Sequence, residues 1–139
     1  MAADTLNIFE CFVEDVAEGV HNLGSDQLVV ALTNSAPTTA TDDQLSDITE
    51  ITYTNLSSRN ITTTSSAQAS GVYSLILTDL TLTASGSVGP FQYAVIYNDD
   101  ATNDELIGWL DYGSAVTLGS GETFDLDFPA TALVSLTIS

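Results

Sequence analysis

The stretch Glu105–Phe128, ELIGWLDYGSAVTLGSGETFDLDF, restricts the fold of this chain more than any other. At its end Phe124, Leu126 and Phe128 occupy every second place, with Thr123, Asp125 and Asp127 between them. A period of two puts the apolar side chains on one face of a strand and leaves the other face wet. Upstream, Leu106, Ile107, Trp109 and Leu110 form an apolar run closed by Asp111-Tyr112-Gly113. Val116 and Leu118 then lead into the turn Gly119-Ser120-Gly121. The stretch predicts three strands and two turns, a meander against which the rest of the chain packs. It holds the only Trp and two of the five Phe.

Toward the N-terminus, Asp4 to Val20 predicts a helix. Phe9, Phe12, Val13, Val16, Ala17 and Val20 fall on one apolar stripe, with Glu10, Glu14, Asp15 and Glu18 opposite. Gly19 and Gly24 bracket its exit, so residues 1–24 read as a helix and its turn. Gln27 to Asn34 is apolar throughout its middle, which predicts a strand buried on both faces. Ser35 to Thr41 reads as a loop, and Asp42 to Tyr53 as a turn of helix followed by a short strand. Residues 54–71 are rich in Ser, Thr and Asn; they read as a long loop or arm with a strand near Asn60 to Thr64. Val72 to Ala84 predicts a long strand whose parity breaks near Thr78-Asp79, marking a bulge or bend. Ser85 to Pro90 is a turn, Phe91 to Asn98 a strand, and Leu133 to Ile138 the last strand. With six to eight strands and one helix, the class is mainly β. It predicts an antiparallel β-sandwich or small barrel with one N-terminal α-helix packed on it, in a single domain over residues 1–139.

The charge of -18 arises more from scarcity of base than from abundance of acid. Nineteen Asp and Glu face one Arg, Arg59, and no Lys. Such a surface repels nucleic-acid phosphate and anionic lipid, so neither is an expected partner. The acidic start lacks a basic leader segment, and no apolar run approaches the roughly 18 residues of a membrane span.

Without Lys, a Walker A loop, a Schiff base and a lysine base are all excluded. Gly119-Ser120-Gly121 begins a dinucleotide fingerprint that Phe124 breaks, and no G-x-S-x-G elbow occurs. His21 is the one histidine; just past the helix, it suits a hydrogen-bonded loop residue better than a catalytic base. One His and one Cys make no zinc site, and Cys11, beside the apolar stripe, reads as a small buried thiol. Asp125 and Asp127 share a strand face about 7 Å apart, a spacing that glycosidases use. Acids alternating on a wet face need no such explanation. The best metal candidate is the turn carrying Asp99, Asp100, Asn103, Asp104 and Glu105, whose oxygens could meet Ca²⁺ weakly, although their spacing is not that of an EF-hand. No cofactor is expected, and no enzymatic activity.

The run from Gly89 to Phe128 resembles a family of small virion-structural proteins of tailed bacteriophages. The resemblance rests on GPFQY, on the strand end Tyr97-Asn98, on Leu106-Ile107-Gly108, on Asp111-Tyr112-Gly113-Ser114 and on Gly121-Glu122-Thr123-Phe124. Phe12-Val13-Glu14-Asp15, His21-Asn22-Leu23 and Leu32-Thr33-Asn34-Ser35-Ala36-Pro37 extend it over most of the chain. Gln92 stands where a basic residue is usual, and the Gly-rich turn often found near residues 54–64 is missing. The resemblance implies a capsid decoration, or cement, protein. Such a protein is made in the host bacterial cytoplasm and docks as a trimer on the outer face of the major capsid protein lattice. A tail or head-tail connector component, or a host-surface carbohydrate-binding module, is the alternative.

Overall fold

The computed structural model describes residues 6–129 and 133–137. The elements in order are β1 (Asn7–Ile8), α1 (Cys11–Ala17), β2 (Leu28–Thr33), a 3-10 turn (Leu45–Asp47), β3 (Asn60–Ile61), β4 (Thr63–Ala69), β5 (Val72–Leu77), β6 (Leu80–Thr83), β7 (Val88–Asn98), β8 (Leu106–Leu118), β9 (Thr123–Leu126) and β10 (Val134–Thr137). They form an antiparallel sandwich. A five-stranded sheet, β1-β8-β7-β2-β3, faces a three-stranded sheet, β10-β5-β4, and a two-stranded one, β6-β9.

The strand periodicity divides the interior in two. Leu28, Val30 and Leu32 of β2 pack with Leu75, Leu77, Leu82 and Leu126 of the smaller sheets. Val29 and Ala31, on the opposite face of the same strand, join a second core with Phe9, Ile48, Val95, Tyr97 and Leu106. Every residue of β2 is buried, as its continuous apolar run predicts. Among the described residues, no sheet lies over the second core. It is closed by Phe9 and by the segment around Leu45 and Ile48, anchored where Leu45 N–H donates to the Asp104 carbonyl (3.1 Å) and Leu106 N–H to that of Asp43 (3.0 Å).

Several elements differ from their sequence signatures. The apolar run of β8 does not alternate because a bulge interrupts it: Ile96 pairs with Gly108, but Tyr97 pairs with Leu106. The extra residue sends Leu106 and Trp109 to the second core while Ile107 and Leu110 stay in the first. Asp111-Tyr112-Gly113 is no turn between strands. It is an excursion within one 13-residue strand, between the pairs Tyr93–Asp111 and Phe91–Val116, with Gly113 at a φ of +93°. β9 pairs with β6 rather than with β8, so the expected meander is a hairpin, β7–β8, followed by a strand in another sheet. Val72 to Ala84 breaks at Thr78-Asp79, as its parity predicts, but into two strands of different sheets. The long loop expected over residues 54–71 contains all of β4, an edge strand of small polar residues without apolar alternation. Among the described residues the count of strands is accordingly ten, two of them only two residues long.

The helix is shorter than Asp4 to Val20; residues 4 and 5 lie outside the described residues. Asn7 and Ile8 are drawn into β1 against Trp109 and Gly108, which delays the helix to Cys11. It ends in a Schellman motif: Gly19, at a φ of +77°, donates to the Val16 carbonyl (3.3 Å), and Val20 donates to that of Asp15 (2.8 Å). The chain thus rounds the β8 edge, with Phe9 in the second core and Phe12 in the first. The predicted stripe is overturned at Val13, which is 72% exposed, and at exposed Ala17; Val16 is half-buried. Seven residues are too few to carry the whole stripe inward.

Two substitutions separate these readings. Phe12→Asp puts an unpaired charge into apolar packing, at a cost of several kcal/mol. Val13→Asp stays within about 0.5 kcal/mol of wild type, as at other exposed positions. Chemical denaturation of both variants measures the contrast.

Candidate functional site

Polar chemistry concentrates where α1 leaves the sheet. His21 follows the Schellman turn, and its side chain is fully buried. The ring stacks on Phe12, with centroids 5.4 Å apart and planes 29° from parallel. The Asn98 side-chain amide, at the buried end of β7, reaches His21 Nδ1 (3.1 Å) and donates to Asp26 Oδ2 (2.7 Å). Asn98 Oδ1 accepts from the Asp100 N–H (3.0 Å). The amide nitrogen can only donate, so Nδ1 is the acceptor and the proton sits on Nε2. That Nε2 lies 3.9 Å from Asp15 Oδ2, and neither atom has a hydrogen-bond partner among the described residues.

The chain Asp15–His21–Asn98–Asp26 fastens the end of α1 to the end of β7. Burial pushes the His21 pKa down, against the pull of Asp15, Glu105 and Asp26 in the other direction. Protonation at Nδ1 would set an N–H against the Asn98 amide donors. The ring is hydrogen-bonded just past the helix end, the position its sequence context favours. The asparagine and Asp26 partners were not foreseen. They lie 77 and 5 positions from His21, and only the β2–β7 register brings Asn98 beside the turn.

On the outer side of Asp15 is a polar cleft of about 470 Å³ lined by Glu10, Cys11, Glu14, Asp15, Asp43 and Glu105 among others. Its field favours cations. Burial raises the Asp15 pKa first, with Glu105 and Asp43 adding to the shift and His21 opposing it. The Cys11 thiol is pushed up to about 12 by burial and by Asp15 and Asp43. It is therefore no thiolate at neutral pH and is a poor nucleophile.

The calcium candidates are drawn to separate tasks. Asp100 Oδ2 accepts from the Gln27 N–H (2.7 Å) at the start of β2. Glu105 takes both the backbone and side-chain nitrogens of Asn103 (3.1 Å each) and faces the cleft. Asp99 is exposed, and Asp104 sits at a φ of +54° with its pKa raised by burial and by Asp99, Glu105 and Glu50. Among the described residues, no three His, Cys, Asp or Glu side chains converge as a metal-ligand set. Asp125 accepts from Thr81 Oγ1 (2.8 Å) across the β6–β9 pair, and Asp127 lies just past β9, half-buried.

Fold and site together define an acidic, mainly β sandwich whose buried polar chemistry joins its elements. Comparison with known protein families, curated proteins and solved structures finds no match.

The lowered His21 pKa has a definite sign in stability. The group stabilises the fold above its unfolded value of about 6.5, and this contribution is lost as pH falls and the unfolded chain takes up a proton. Asp15 acts oppositely: its contribution is present below its unfolded pKa and lost as pH rises through the raised folded value. NMR of the single histidine is expected to give a midpoint below about 6.5 and the Nε2–H tautomer. A midpoint at or above that value contradicts the buried neutral ring. Calorimetry with Ca²⁺ is expected to show weak binding or none; micromolar binding, lost in Asp100→Ala with Asp104→Ala, would establish a metal site there.

Proposed function

We propose that this chain is a structural protein of a tailed-bacteriophage virion, a decoration protein on the outer face of the major capsid lattice. The observation that carries the reading is where the family-like residues fall. The run from Gly89 to Phe128 supplies most of β7, all of β8 and β9, and the turns between them. Phe12 to Pro37 supplies most of α1, the His21 anchor and β2. The likeness therefore follows the frame of the sandwich rather than a reactive centre, as a component selected for shape requires. The acidic surface supports an outer position, since contact with packaged DNA would set like charges together. Among the described residues no helix is long and apolar enough to cross a membrane. No catalytic role is part of this reading.

One feature favours the carbohydrate-binding alternative. Tyr112 is 42% exposed on the β8 excursion, with its ring edge-on to Phe124 at 5.1 Å. An outward aromatic of that kind can stack on a sugar ring. Decoration repeats across the lattice, giving copies on the order of hundreds, whereas a tail tip or connector ring holds about a dozen. Quantitative mass spectrometry of purified virions, scaled to the major capsid protein, is expected to give the larger figure. A dozen copies would move the chain to the tail.

A further inference from the structure

Acid is unevenly spread along the chain. All nineteen Asp and Glu lie outside residues 51–78. That interval contains β3, β4 and β5 and the one basic residue. Arg59 is already engaged: it donates to the Val30 carbonyl, lies 3.7 Å over the Tyr53 ring and stands 3.9 Å from Glu50. The hairpin β4–β5 is thus a charge-free tract on a molecule of charge -18.

β4 ends its sheet, and among the described residues no strand pairs with its outer edge. Ser70 and Gly71, both at positive φ, form the two-residue turn to β5, flanked by the pair Ala69–Val72. In such a hairpin the flanking pair exchanges hydrogen bonds, and alternate residues turn their N–H and C=O groups away. Ser66 and Gln68 therefore present theirs outward. Leu75, opposite Ser66, fits the same pattern, since its carbonyl accepts from Leu133 at the start of β10 (2.7 Å).

Exposed edges are normally blunted by charge, proline, bulges or brevity. β1 and β3 have two residues each, and β9 carries Asp125. On β6, Ser57 takes both the N–H and the carbonyl of Thr83 (2.9 and 3.0 Å). β4 has seven residues, no charge and no proline, and its one irregularity lies at its start, between Thr63 and Ser65.

We propose that β4 pairs antiparallel with β4 of a second copy of this chain, about a two-fold axis at Ala67. A basic partner would be drawn to the acidic parts of the surface rather than here. Two copies carrying this charge approach most easily where neither bears any. In this register Ser66 of one copy faces Gln68 of the other, and the reverse, so every outward group of both residues is paired. The small Ala67 side chains meet on the axis. The contact is isologous and closes at two copies; a trimer needs contact between unlike surfaces. This inference goes beyond the virion reading and does not depend on it.

The remaining charge still repels at long range, so pairing strengthens with screening. Sedimentation velocity of the full chain compares about 0.01 M salt, where the Debye length is about 30 Å, with about 1 M, where it is about 3 Å. Monomer is expected in the first and dimer in the second. Ala67→Asp sets like charges face to face across the axis, and Ser66→Pro removes an N–H that β5 does not use. Each is expected to weaken the dimer at least about tenfold. Ala67→Asp leaves the melting temperature near that of wild type, whereas Ser66→Pro also loses the Ser66 Oγ–Tyr73 hydroxyl hydrogen bond (2.7 Å) and melts lower. Either variant alone suffices if the other does not fold. Monomer at high salt and submillimolar protein, a trimer, or a dimer that the folded variants leave intact would overturn the proposal.

Discussion

Burial of β2 on both faces is the constraint on which the rest of the structure depends. Its hydrogen bonds join it to β7 along its whole length and to β3 at one end. Its alternate residues feed two different cores. A strand so placed must have both sides covered by something. The smaller sheets cover one side; on the other, among the described residues, loops and the segment before α1 supply the cover. The odd features of the chain follow from this: Phe9 and Phe12 parted by an edge, the 3-10 turn at Leu45, and the bulge that turns Trp109 toward the second core.

What the sequence disclosed depended on whether one physical signal ruled locally. The alternation of Phe124 and Leu126 and the solid apolar run of β2 each had a single explanation, and both strands stand where expected. The parity break at Thr78-Asp79 located a real discontinuity. Failures came where two rules competed. Leu6 to Ile8 fall within the predicted helix span but serve better as cover and edge strand beside β8, so tertiary pairing outweighed local helix signals. The strand expected near Asn60 to Thr64 meets β3 and the start of β4, but the rest of β4 escaped notice because an edge strand exposed on most sides needs no apolar pattern. Partner choice is equally hidden: nothing near Phe124 reveals that β9 joins β6 rather than β8.

The polar site was legible only in outline. His21 could be placed as a hydrogen-bonded residue past a helix end from its neighbours alone. That Asn98 fixes its tautomer required the sheet register, and that Asp15 faces Nε2 required the Schellman turn. For the acids at 99–105, proximity in sequence does not tell which group each carboxylate serves. Asp100 accepts from the Gln27 N–H at the start of β2, and Glu105 from that of its near neighbour Asn103.

Trp109 gives the molecule a built-in optical probe of one layer. Its indole N–H donates to Thr39 Oγ1 (3.2 Å), and its ring meets Tyr93 edge-on at 5.7 Å, both at the second core. No other Trp dilutes the signal. Its emission therefore reads the seating of the covering segments rather than the integrity of the whole sandwich. Circular dichroism reads the sheets. Where loosening of the cover precedes melting of the strands, the two spectra part, and the gap between them measures how independently that cover lifts.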